Sequence, residues 1–104
     1  MNELIKKIED VVTKLIKYDN EAYAEAAQSL VSDIMVQLPK IVKYYADPAM
    51  SENAQDAQYW PGQLDRIIGA LNTGDDIATV DILYNETRAN LVELRDILAE
   101  KGLL

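Results

Sequence analysis

The stretch Asn72–Leu98, NTGDDIATVDILYNETRANLVELRDIL, decides how this chain is read. Gly74 can take the left-handed conformation that closes one helix, and Asp75 or Asp76 can accept from the free amides that open the next. Either carboxylate also suits the positive end of the new helix's dipole. Ile77, Val80, Tyr84, Thr87, Leu91, Leu94 and Leu98 then recur in steps of three and four, flanked by Leu83 and Ile97. Such spacing is one face of a long amphipathic helix, which Gly102 ends near Lys101. Asp81, Asn85, Glu86 and Arg88 are set among these apolar residues instead of on the opposite face.

Three earlier segments carry the same kind of signal. Leu4, Ile8, Val11, Leu15 and Tyr18 form one stripe, widened by Ile5, Val12 and Ile16. Glu3–Lys7 and Asp10–Lys14 have the favourable order of charges four residues apart. Asp19 and Asn20 break the pattern with capping chemistry. A second stripe runs through Tyr23, Ala27, Leu30, Ile34, Leu38, Ile41 and Tyr45, and it keeps its phase past Pro39.

A proline inside a helix removes a hydrogen bond and clashes with the preceding turn, at roughly 3 kcal/mol or more. Either the helix kinks at Pro39, or it stops near Gln37 and another begins with the proline in its first turn. The unbroken stripe favours one kinked helix. Asp47-Pro48 ends it, because the residue before a proline is pushed out of helical conformation. Residues 52–59 are the most polar run in the chain and lack an apolar face, so 47–61 reads as an irregular connection with a turn or two of helix. Trp60 packs at the entry of a third helix whose face is Leu64, Ile67, Ile68 and Leu71. The expectation is an all-α fold, an up-and-down four-helix bundle, in a single domain over residues 1–104.

Composition agrees with that class and removes several others. At 104 residues, 49% hydrophobic and 27% charged, the chain is globular and has material for one core. No apolar run approaches the roughly 20 residues that span a bilayer, and the N-terminus lacks a signal-peptide core. With no cysteine and this pattern, a soluble cytoplasmic protein is expected. The formal charge of −8 is uneven: residues 1–45 hold six Lys/Arg against seven Asp/Glu, and residues 46–104 hold four against eleven. An acidic half repels phosphate, which argues against nucleic acid and anionic membranes as partners and permits a basic protein. Solubility alone also accounts for such a charge.

Chemistry has few places to reside. The chain has no histidine and no cysteine, so the commonest general base, the thiolate nucleophile and the usual zinc and iron–sulfur ligands are all missing. There is no glycine-rich phosphate loop and no nucleophile elbow. The reading is therefore not an enzyme, with no cofactor and no metal. Asp75, Asp76 and Asp81 are the densest carboxylates, but their spacing does not match a calcium loop, and the first two are accounted for as caps.

Two groups remain as candidates. Asp81, Tyr84, Asn85, Glu86 and Arg88 form a polar cluster on the last helix, with Asp81, Asn85 and Arg88 along one edge of the stripe. It is either a hydrogen-bonded ladder that fixes the helix against a neighbour or a partner-binding surface, and the ladder is preferred. On that reading Asp81 is half-buried, and its removal destabilises the fold. Tyr44, Tyr45, Tyr59 and Trp60 flank the polar 48–60 run and are expected to gather at one end of the bundle. They serve equally well as a binding surface or as packing over an open end.

The pattern Gly74-Asp75-x5-Asp81-x-Leu83-x2-Glu86, preceded by Ala70-Leu71, resembles an uncharacterised family of small all-helical bacterial proteins. Val80, Tyr84 and Asn85 depart from that family's usual residues. The resemblance covers about a quarter of the chain, and it implies a helical bundle without known catalytic residues. The functional expectation is a non-catalytic protein-interaction or assembly module, of adaptor or small-chaperone type, that binds another helix or self-associates. Its sequence basis is the wide stripes of the first two helices and the apolar tail Leu103-Leu104. The alternative is an acidic inhibitor or immunity-type protein docking a basic partner, with a small-ligand site in the core around Asp81 and Tyr84 third.

Overall fold

The computed structural model describes residues 1–17 and 20–104, and among them it contains helices and no strand. Tyr18 in the first stripe and Asp19 as a cap lie outside the described residues. The chain forms four rods in a body 44 × 21 × 21 Å. These are α1 (Asn2–Ile16), α2 (Asn20–Tyr44), α3 (Tyr59–Thr73) and a C-terminal rod in three pieces. The pieces are α4 (Asp76–Val80), a π-helix (Asp81–Arg88) and α5 (Ala89–Glu100). A 3-10 helix, Pro48–Gln58, joins α2 to α3. Each rod packs on its chain neighbour, and α1 returns to the C-terminal rod, closing the up-and-down ring.

The α1 stripe is buried as expected: Leu4, Ile5, Ile8, Val11, Val12 and Leu15 all lie in the core. Asp10 pairs with Lys14 at 2.6 Å. Lys7 does not pair with Glu3. It reaches across to Asp33 on α2, an ion pair that ties the two helices together near the surface.

Helix α2 is continuous through Pro39, so the phase of its stripe was the right guide. Pro39 and Met35 are both exposed, so the carbonyl that loses its donor to the proline is within reach of water.

The connection expected to be irregular is regular. Asp47 accepts from the Ala49 amide at 2.8 Å, Pro48 supplies a fixed φ for the first position, and the tighter helix runs for 11 residues. It passes directly into α3, with Pro61 and Gly62 inside the first turn of that helix. The sequence lacks an α-helical apolar face here because a 3-10 helix repeats every three residues and needs only Met50 as a buried anchor.

Gly74 (φ 69°) closes α3, and the Asp75 carboxylate accepts from the Ala78 amide at 3.0 Å, so Asp75 is the cap. Gly102 (φ 74°) ends α5. Beyond it, the Leu103 amide bonds back to the Leu98 carbonyl at 2.8 Å and its side chain packs on the core. The expected apolar tail is thus reduced to Leu104.

The C-terminal rod departs from its stripe in an instructive way. Leu91, Leu94 and Leu98 are buried as the spacing requires. Upstream, the buried positions are Thr79, Leu83 and Thr87, whereas Ile77 and Tyr84 are exposed. The steps from Thr79 to Leu91 are all of four residues. At the α-helical 100° per residue, three such steps would drift roughly 120° off the face. The wider π-helical turn, with its i→i+5 bonds, absorbs that drift and keeps Thr79, Leu83, Thr87 and Leu91 in line.

Candidate functional site

The predicted polar cluster of the C-terminal rod does not act as one site. Asp81 and Asn85 form an exposed pair, Asn85 Nδ2 donating to Asp81 Oδ1 at 2.8 Å. Neither touches a neighbouring helix through that bond. Asp81 is exposed, not half-buried, because the π-helical turn rotates it away from the border it would hold on an α-helix. Arg88 instead crosses to α1, where its Nε meets Glu9 at 3.0 Å, and its guanidinium sits 4.8 Å from the Tyr84 ring centroid. Glu86 points the other way and pairs with Arg66 of α3. With Asp81 and Tyr84 both on the surface, they do not line the bundle interior. The core space between Ile34, Ile67 and Leu91 is about 10 Å³, which holds no ligand.

The register device expected of Asp81 belongs to Gln63, which the periodicity leaves unmarked, and to Thr87, which it places on the stripe of the last helix. Gln63 Nε2 donates to Thr87 Oγ1 at 2.9 Å, and Thr87 Oγ1 donates to the Ile82 carbonyl at 2.8 Å. Ile82 is five residues before Thr87, the very spacing of a π-helical turn. The network continues outward from Gln63 Oε1 to Arg66 and from Arg66 to Glu86. Glu86 is therefore the predicted residue that does join two helices. A buried glutamine next to a π-helix could have been suspected only from Gln63 falling four residues before Ile67 on the α3 face.

The aromatic residues divide. Tyr45, Tyr59 and Trp60 gather where the 3-10 helix, α3 and α5 meet. Trp60 Nε1 donates to the Tyr45 phenol at 2.8 Å, and Asn90 Nδ2 donates to the Tyr59 phenol at 2.8 Å. The Tyr59 and Trp60 rings meet edge to face, 5.0 Å apart at 83°. Burial holds the Tyr45 phenol above its ordinary pKa; the bond from Trp60 works against this, and the nearby Asp56 and Glu93 carboxylates reinforce it. Burial does the same for Tyr59. Beside these rings is a cleft of about 320 Å³. Tyr44 turns away from it and lines a separate recess with Met1, Lys7 and Lys40.

A third feature emerges from the π-helical shift. Ile77 is 84% exposed at the start of α4, and Ile16 is 62% exposed at the end of α1. With Leu15 and Val80 they line a broad, open groove of about 680 Å³, rimmed by Asp75, Asp76 and Asp81. Among the described residues none of these three carboxylates is in an ion pair. Among the described residues no helix is long and apolar enough to cross a membrane, and among them no group of three or more acidic side chains is placed to hold a metal.

These features define an all-α, up-and-down four-helix bundle with a π-helical C-terminal rod. Comparison with protein-family models, with curated proteins and with solved structures gives no match to this chain.

Proposed function

We propose that this bundle is a non-catalytic protein-interaction module whose docking surface is the Ile16–Ile77 groove. The observation that carries the reading is the exposure of Ile77, 84%, beside Ile16. Two β-branched apolar side chains lining one open groove hold apolar area in water that a partner would cover. The acids on the rim say what kind of partner. A helix presenting apolar residues flanked by Lys or Arg would fill the groove and meet Asp75, Asp76 and Asp81 with opposite charge. The acidic bias of residues 46–104 would steer such a segment in. A second copy is disfavoured, since in a two-fold dimer the same carboxylates would face themselves.

The test is an NMR titration of the intact chain with a synthetic amphipathic Leu/Lys helix. Shifts should concentrate at Ile16, Ile77 and Val80, weaken as salt is raised, and disappear in Ile77→Asp. Shifts spread over the surface, or unchanged in Ile77→Asp, would refute the groove as the docking surface.

A further inference from the structure

The cleft beside Trp60 is a separate feature that the groove does not use. Its wall is made by the 3-10 helix. Side chains three apart in a 3-10 helix eclipse one another, so Met50, Asn53, Asp56 and then Tyr59 stand in one row, and all four line the cleft. Runs of 3-10 helix beyond three or four residues are uncommon because their hydrogen bonds are poorer. Here 11 residues keep that geometry with a single buried side chain, Met50, as anchor. Opposite the row, α5 contributes Glu93 and Ile97.

The lining has a definite electrostatic character. Asp56 and Glu93 bring two carboxylates, the Tyr45 and Tyr59 phenols bring electron-rich oxygens, and no Lys or Arg lines the cleft. Among the described residues neither carboxylate has an ion-pair partner. The rest of the lining is the amides of Asn53 and Asn90 and the apolar or aromatic side chains of Met50, Trp60, Leu94 and Ile97, of which only Ile97 is not buried. A hard metal ion wants several converging carboxylates, and among the described residues no group of three or more acidic side chains is placed to hold one. Carbon groups carrying a positive charge fit both halves of the lining, and the volume, about 320 Å³, sets the ligand at the small end of the range.

We propose that this cleft is a binding site for a small organic ammonium ion. Its carbon substituents rest against Ile97 and the partly exposed Tyr59 ring, and its charge is met by Asp56 and Glu93. Aromatic side chains joined to carboxylates are the usual means of holding alkylammonium groups, because the ring quadrupole and the ionic attraction act together where water is partly excluded.

Trp60 is the only tryptophan in the chain and lines this cleft, so tryptophan emission reports on it. The probes are choline and its uncharged carbon isostere, dimethylbutanol, titrated into the intact protein. Choline should give a saturable change in Trp60 emission, with the isostere about fivefold weaker, the margin expected from a partly screened charge contact. Glu93→Gln and Asp56→Asn, both at exposed positions, should each weaken choline several-fold with unchanged melting temperature. Equal binding of the isostere, absence of a saturable response, or an unaltered response in both variants would overturn the proposal. So would an equal response to magnesium chloride. The Leu/Lys peptide titration is independent of all these outcomes, because its groove lies at the Ile16–Ile77 surface.

Discussion

Gln63 of α3 and Thr87 of the C-terminal rod are bonded side chain to side chain at 2.9 Å with only 2% and 3% of their surfaces exposed. Everything polar in that contact is satisfied. The threonine hydroxyl accepts from the amide and passes its own hydrogen to the Ile82 carbonyl, so neither buried side chain is left without a partner. Buried polar groups are tolerated only on that condition. A sideways slip of the rod by one residue would break the chain of bonds, which makes the pair a register lock for the π-helical turn.

Thr87→Val tests the lock by keeping the shape of the side chain and removing its hydroxyl. The Gln63 amide is then left with only its longer bond to the Ile82 carbonyl, 3.5 Å, and the expected loss is about 1–3 kcal/mol, the usual penalty of a poorly satisfied buried group. Gln63→Leu combined with Thr87→Val should recover part of that loss, because both polar partners are then gone. Urea denaturation of the two single variants and the double variant gives the coupling directly. Strict additivity would show that the two residues do not act as a pair.

The π-helical register makes a second, sharper claim. On an α-helical rod Tyr84 would face the core, whereas in the structure Leu83 is fully buried and Tyr84 is 42% exposed. Leu83→Ala should therefore lower stability by about 2–5 kcal/mol, as deletions of buried leucine side chains do. Tyr84→Ala gives up mainly its contact with Arg88, about 0.5–1 kcal/mol for an exposed cation–π pair. The reverse order of the two losses in urea melts would restore the α-helical stripe.

The contrast between these two residues also shows what could be read from the sequence. Four helices, the continuity through Pro39, the caps at Gly74 and Asp75 and most core positions follow from periodicity and capping chemistry, which are local. The π-helix does not, because its signal is a change of period across Asp81–Arg88 that an α-helical template averages away. On an α-helical template Leu83 flanks the stripe, Tyr84 faces inward and Asp81 lies half-buried at the border. The 3-10 helix escaped for the same reason, since Met50, Asn53 and Asp56 share a face only at a period of three. Of the candidate residues, Tyr45, Tyr59 and Trp60 do meet, Tyr44 does not, and Glu86 joins a network whose centre, Gln63, carried no sequence signal strong enough to single it out.

Asp81→Ala should leave stability nearly unchanged, within about 0.5 kcal/mol, because the side chain is exposed and bonds only to Asn85 on its own rod. Such pairs at i, i+4 contribute a few tenths of a kcal/mol at most. A calorimetric comparison with wild type decides the matter. A large drop in melting temperature would return Asp81 to a structural role between helices.

The tyrosines predict how the fold responds to alkali. Burial holds Tyr23, Tyr45 and Tyr59 above the ordinary phenol value of 10.0 in the folded chain. The unfolded chain therefore gives up those protons first. The stability linked to them is fully present below the unfolded value and falls as pH rises through the higher folded values. The urea midpoint should be flat with respect to these groups up to about pH 10 and decline above it. Tyr45→Phe separates the contributions. It leaves the Trp60 indole N–H without its acceptor, which should cost about 1–3 kcal/mol near neutral pH, while the alkaline decline becomes shallower. Denaturation of both proteins across the alkaline range, followed by circular dichroism, measures the two effects together. An equally steep decline in Tyr45→Phe would mean that the Tyr45 phenol is not among the groups whose ionisation opens the bundle.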